Sequence, residues 1–261
     1  MRVRTLWLGA ALPVAAAAVL LAAAGCGGGG DSGPEPEAAA LAQATPNDAF
    51  PLDRFHYEAS LTLREVKRDG KQVHISTDGD YESPDRHAFT YLTGLGDTSI
   101  RRSAVVIGDK IWMREGEGDW REVGLAEAAG LLTSAFSTIK PQFLGGPEFD
   151  QVRANVTRLP GSEEFVNDVA AVHYRVDASS LGLIEDFLGG GELLQDVQDL
   201  RWELWLAEDG GWPVRLLATA VVTQHVKILD DLDLEPATEW ELRVDITRPN
   251  DPAVTVEAPS D

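Results

Sequence analysis

Glu239-Trp-Glu-Leu-Arg-Val-Asp-Ile-Thr247 sets a polar residue beside a large apolar one at every step. In an extended chain successive side chains point to opposite faces, so Trp240, Leu242, Val244 and Ile246 fall on one side. Glu239, Glu241, Arg243, Asp245 and Thr247 fall on the other. Upstream, Leu200, Trp202, Leu204 and Leu206 repeat the pattern, Asp209-Gly210-Gly211 supplies a turn, and Val214, Leu216, Ala218, Ala220 and Val222 come back. Downstream, Val254 and Val256 close the chain. These stretches predict long antiparallel strands in a sheet with one apolar and one polar face.

The same period governs the first half of the domain. Phe55, Tyr57, Ala59, Leu61 and Leu63 alternate with His56, Glu58, Ser60, Thr62 and Arg64. Asp69-Gly70 is a hairpin signal, and Val73, Ile75, Thr77, Gly79 and Tyr81 carry the return strand. Pro84-Asp85 interrupts, Arg86–Thr93 resumes with Phe89 and Tyr91 on one face, and Gly108-Asp109 joins Ile100–Ile107 to Lys110–Arg114. Trp120–Val123 follows a loop over Gly116–Asp119. Five or six short strands joined in sequence make a meander.

Two segments depart from period two. Leu125, Ala128, Ala129, Leu132, Ala135, Phe136 and Ile139 recur at helical spacing, which predicts a helix over Leu125–Phe143 limited by Pro141. Strands are expected at Val152–Leu159 and Ala170–Asp177, linked by a loop over Gly161–Asp168. Leu181–Val197 is again amphipathic, and Gly189-Gly190-Gly191 splits it into two short helices. Asp230-Asp231, Asp233 and Glu235 lack the glycine and spacing of a calcium loop and read as a solvated turn between two long strands. The fold class expected is α+β: a large curved antiparallel sheet with helices covering the concave face.

This order of elements resembles the unclosed half-barrel of the outer-membrane lipoprotein carrier fold, and within it the LppX/LprG type of acylated lipoproteins. The residues that carry the resemblance are His56–Leu63, the Tyr81-Glu-Ser-Pro-Asp-Arg86 break, and Ile107-Gly-Asp-Lys-Ile-Trp112 followed by Trp120. Leu204-Trp-Leu-Ala-Glu-Asp-Gly-Gly-Trp-Pro-Val-Arg215 and Ile246-Thr-Arg-Pro-Asn-Asp-Pro252 complete it, so that residues 50–258 are covered. The resemblance implies a cavity on the inner face, lined by Tyr57, Leu61, Phe89, Leu204, Leu216, Ala218, Leu242 and Val244. It implies a helical lid over that face, with Leu132, Phe136, Phe187 and Leu188 among its apolar groups. Position 184, where the chain has isoleucine and not leucine, shares the apolar stretch with Phe187 and Leu188, but Ile184 is assigned no lid contact. The small residues Ala218 and Ala220 favour incomplete filling. The alternative is a dry core, since protein interiors normally pack to a density of about 0.75.

The N-terminus has its own signature. Arg2 and Arg4 precede an apolar run from Leu6 to Ala24, and Gly25-Cys26 ends it. Basic, apolar and small residues in that order form an export signal. Cys26 is the single cysteine of the chain, and its place resembles the acylated cysteine of a bacterial lipobox, with Ala23 departing from the commonest leucine. Residues 1–25 would then be removed and Cys26 lipidated. The alternative is an uncleaved anchor, because the run is long enough to cross a hydrocarbon core of about 30 Å. Both place the rest of the chain outside the cytoplasm, held at the bacterial cell membrane. Residues 26–49, rich in Gly, Pro and Ala, read as a tether and leave 50–261 as a single domain.

Composition narrows the function. The chain has 22 basic and 43 acidic residues, a net charge of −21, and the signal segment removes only arginines. Such a surface repels nucleic acid, whose binding requires phosphate neutralisation, and gains nothing from anionic lipid. With one cysteine there is no intramolecular disulfide and no thiolate zinc site. The histidines at 56, 74, 87, 173 and 225 stand singly along strands, with no metal-ligand spacing, and read as exposed. No Gly-x-Ser-x-Gly elbow is present, no cofactor motif is found, and the six tryptophans in or beside strands read as packing residues. The reading is a non-enzymatic lipoprotein that binds or carries a lipid or lipid-linked amphiphile. The alternative is a module with a solid core that docks an envelope protein partner.

Overall fold

The computed structural model describes residues 52–67, 70–95, 98–128, 141–144, 146–176, 197–223, 226–229 and 232–260. Six strands come first: β1 (Arg54–Glu65), β2 (Gln72–Glu82), β3 (Arg86–Leu95), β4 (Thr98–Ile107), β5 (Lys110–Glu115) and β6 (Arg121–Val123). Two short helices follow, α1 (Pro141–Leu144) and α2 (Pro147–Arg153). The remaining strands are β7 (Val156–Val166), β8 (Val169–Val176), β9 (Val197–Ala207), β10 (Pro213–Val222), β11 (Val226–Leu229), β12 (Leu232–Leu234) and β13 (Thr238–Thr247).

Eleven strands form one open, curved antiparallel sheet in the order β6-β5-β4-β3-β2-β1-β13-β10-β9-β8-β7, while β11 and β12 pair as a separate hairpin. Each wing is a meander of sequence neighbours. The wings meet where β1 lies against β13, with Tyr57 opposite Ile246, Ala59 opposite Val244, Leu61 opposite Leu242 and Leu63 opposite Trp240. The alternation read from the sequence appears directly as burial: in β13 the even-numbered residues from Thr238 to Ile246 are buried and the odd ones are not. One apolar core runs over the inner face of both wings, and a smaller cluster of Ile111, Val123 and Ala128 lies under β5 and β6.

The connections between strands differ from expectation. Pro141 opens α1 rather than ending a helix from Leu125, consistent with the tolerance of proline in a first helical turn, where its missing N–H costs nothing. Residues 125–128 are helical, and the stretch between lies outside the described residues. The strand expected from Val152 begins at Val156, because Pro147 starts α2 and its Phe149 and Val152 are buried together. Gly161–Asp168 is not a linking loop. β7 continues through it to Val166 past a register shift between Arg158 and Glu163, where Pro160-Gly161 cannot follow the ladder, and Asn167-Asp168 makes the turn.

The segment expected as a solvated turn holds β11 and β12, with Leu234 fully buried; Asp230 and Asp231 lie outside the described residues. Its base is fastened by Glu65, a buried carboxylate that accepts the backbone N–H groups of Lys71 and Glu235 at 2.9 and 3.0 Å. Those two bonds, with Lys67 beside them, hold its pKa down to about 2. Among the described residues no helix is long and apolar enough to cross a membrane.

Candidate ligand-binding face

The inner face is built as ranks of side chains aligned across strands. Leu61, Leu242, Ala218 and Trp202 form one rank over β1, β13, β10 and β9; Ala59, Val244, Leu216, Leu204 and Tyr174 form the next, reaching β8. Of the residues expected on this face, Tyr57, Phe89, Leu204, Leu216, Ala218, Leu242 and Val244 are buried, and Leu61 is half-buried against them. The five central strands present no charged side chain inward from Phe55 to Leu63, Val73 to Tyr81, Trp202 to Leu206, Val214 to Val222 or Trp240 to Ile246. Leu132, Phe136, Phe187 and Leu188, expected as the lid, and Cys26, expected as the lipidation site, lie outside the described residues. So does Ile184, the isoleucine where a leucine at position 184 would have extended the leucine pattern of that segment.

Two small residues make room for large neighbours across the strands. Ala218 sits between Trp202 and Leu242, so the small residue makes room for an indole. Gly79 plays the same part on the other wing, opposite Tyr57 on one side and Phe89 on the other. A Cβ added at Gly79 would come within 2.9 Å of the Tyr57 ring and 2.7 Å of the Ala88 carbonyl oxygen. Glycine is therefore required there by close approach rather than by backbone conformation.

Two polar features of the face were not singled out from the sequence. Trp202 is almost wholly buried, its ring centroid 6.3 Å from that of Trp240. Its indole N–H has no hydrogen-bond partner among the described residues. His87 is 2% exposed, which corrects its reading as an exposed strand histidine. Phe89 and Tyr91 had already given the inward parity of β3, and His87 shares it. Its Nε2 lies 2.5 Å from the Tyr57 hydroxyl, inside a set of rings comprising Phe55, Tyr57, Tyr81 and Phe89. Burial penalises the imidazolium and pushes its pKa down to about 3, so the ring is neutral. The same burial raises the Tyr57 phenol well above its ordinary value.

The convex face is the opposite kind of surface. A groove of about 440 Å³ there is edged by Thr62, Arg64, Asp199, Arg201, Glu239 and Glu241. Ala220, Val221 and Trp240 line it as well, beneath the charged groups at its edge. On the wing of this face that runs from β7 to β13, His173 stacks on Trp205 at 3.9 Å between Glu164 and Glu203, and Arg215 bonds Asp245 at 2.6 Å.

No family model matches the chain, and no curated protein matches it. Among solved structures, LprF from Mycobacterium bovis is similar at a TM-score of 0.52 and 14% identity, over 87% of this chain and 99% of that one. A LolA superfamily protein from Nitrosomonas europaea aligns over 84% of this chain and 97% of that one at 9% identity, with a TM-score of 0.26 on which nothing rests. Strand order, the uncharged inner side of the five central strands and the match to LprF over nearly its whole length agree: the chain has the half-barrel fold of the LppX/LprG type.

Proposed function

We propose that the chain is an extracytoplasmic lipoprotein, anchored to the bacterial cell membrane through an acylated Cys26, that binds or carries a lipid or lipid-linked amphiphile on its concave face. The observation that carries this reading is the uncharged, predominantly apolar lining of five neighbouring strands in a sheet that stays open. Each methylene of an acyl chain transferred from water to such a surface contributes about 0.8 kcal/mol. The unpartnered Trp202 indole is a donor suited to an ester or hydroxyl oxygen at the top of that chain. In this reading the polar head of the ligand stays at the rim.

A second reading is a docking module with a solid core. It is favoured by the burial of every inward residue of β13 and β10, including Ala218 and Ala220. One experiment separates the two. Native mass spectrometry of the full chain extracted from membranes should show a co-purified lipid that is lost in Ala218→Leu, while the variant keeps its fold. Lipid-free protein, together with a variant destabilised by the 1–3 kcal/mol or so typical of overpacking, would overturn ligand carriage in favour of docking.

A further inference from the structure

On the convex face, the antiparallel register of β1 and β2 sets His56 opposite Asp80 and Glu58 opposite Asp78. Along the chain these residues show no ligand spacing; across the strands they make one cluster. His56 Nδ1 lies 2.9 Å from Asp80 Oδ1, a contact that fixes the ring and leaves Nε2 turned toward Asp78 Oδ2 at 3.5 Å. One donor atom each from His56, Glu58 and Asp78 lies within 4.8 Å of the others.

The charge of this cluster is uncompensated in a way its neighbours' is not. Asp245, opposite Glu58 on the other side of β1, is held by Arg215 and Arg243. Glu82, at the end of β2, has Arg54 and Arg86 beside it. Among the described residues no Lys or Arg pairs with Glu58, Asp78 or Asp80. Three carboxylates therefore surround one imidazole, and even a protonated His56 leaves them in excess.

We propose that His56, Glu58 and Asp78 form a binding site for a divalent transition-metal cation of the zinc type, with Asp80 as the group that orients the histidine. The donor set argues for that class: one imidazole nitrogen with carboxylate oxygens suits zinc, whereas calcium and magnesium take oxygen almost exclusively. Zinc bonds of about 2.0–2.2 Å require the three donor atoms to draw together slightly, which the exposed Glu58 and Asp78 side chains are free to do. Water completes the coordination on the solvent side. A carboxylate on the far nitrogen of a metal-bound histidine fixes the tautomer and strengthens the ligand, which is the place Asp80 holds.

The test is calorimetric titration of zinc into the full chain after chelator treatment, with calcium as the comparison ion. One saturable site is expected, together with a shift of the His56 ring-nitrogen resonances on loading. Glu58→Gln with Asp78→Asn should weaken binding at least 100-fold, and Asp80→Asn by about 10–100-fold. Their urea midpoints in chelator should match the parent, which separates loss of the site from loss of the fold. Equal zinc affinity in parent and double variant would overturn the proposal by placing the ion elsewhere, as would tighter binding of calcium than of zinc.

Discussion

His56 and His87 stand on opposite faces of neighbouring parts of one sheet, and the two faces move their proton affinities in opposite directions. The Asp80 hydrogen bond raises His56 above its ordinary value. Burial among aromatic rings lowers His87 to about 3. The same side chain is thus a more basic, carboxylate-bonded group on the convex side and a neutral packing element on the concave side. Only the backbone layer of the sheet separates the two environments, so the distinction comes from which face a residue's parity gives it, not from its place in the chain.

Removing apolar mass from the concave side should break this comparison hardest. Trp202→Ala is expected to cost about 3–5 kcal/mol in urea denaturation, the usual range for deleting a buried large aromatic. A loss below about 1 kcal/mol would mean that the indole rests against a space rather than a packed neighbour.

Acid should act on the concave face next. The unfolded chain binds a proton on His87 near pH 6.5 and the folded chain only near pH 3, so between those values the unfolded state holds more protons and stability rises with pH. Stability contributed by neutral His87 is therefore present above about pH 6.5 and is lost as pH falls toward 3. His87→Phe should flatten that slope in urea midpoints measured across the window, and an unchanged slope would show that other groups set it.

The convex face should respond least. Arg101, on the convex side of β4, pairs with Glu117 at 3.6 Å with both side chains largely exposed, and exposed pairs contribute about 0–1 kcal/mol. Arg101→Ala should stay below about 1 kcal/mol by the same measurement. A larger effect would mean that this face carries stability as well as charge.

The sequence made the faces legible and the connections less so. Unbroken alternation in β13 and β10 fixes which residues face inward, because a half-buried sheet tolerates no other period. The six-strand meander was legible for the same reason, since each turn carried Gly, Asp or Pro. Pro141 and Pro147 were ambiguous: proline stops a helix or starts one, and only the chain on either side decides which. Gly161 suggested a loop, yet at the sheet's edge one bulge absorbs it without ending the strand. His87 could have been placed from the parity of Phe89 and Tyr91. The His56 cluster could not, because it depends on the pairing of residues twenty or more positions apart. The residues expected on the inner face lie on the buried side, Leu61 half-buried among them, while whether a ligand shares that side is a question of volume, which residue order does not encode.

The pairing of β1 with β13 has a consequence for the order in which this protein comes into being. Each wing is assembled from neighbours along the chain and can zip as it is synthesised. The seam joining them brings together groups such as Arg64 and Glu239, 175 residues apart, so it waits for nearly the whole polypeptide. Until residues 238–247 emerge, β1 and β10 each present an open edge, the kind of template on which chains associate wrongly. Non-local closure of this sort is slow. A nascent chain is thus kept from locking shut until its last long strand has emerged, and a truncation upstream of Thr238 is expected to yield two sticky half-sheets rather than a smaller version of the domain.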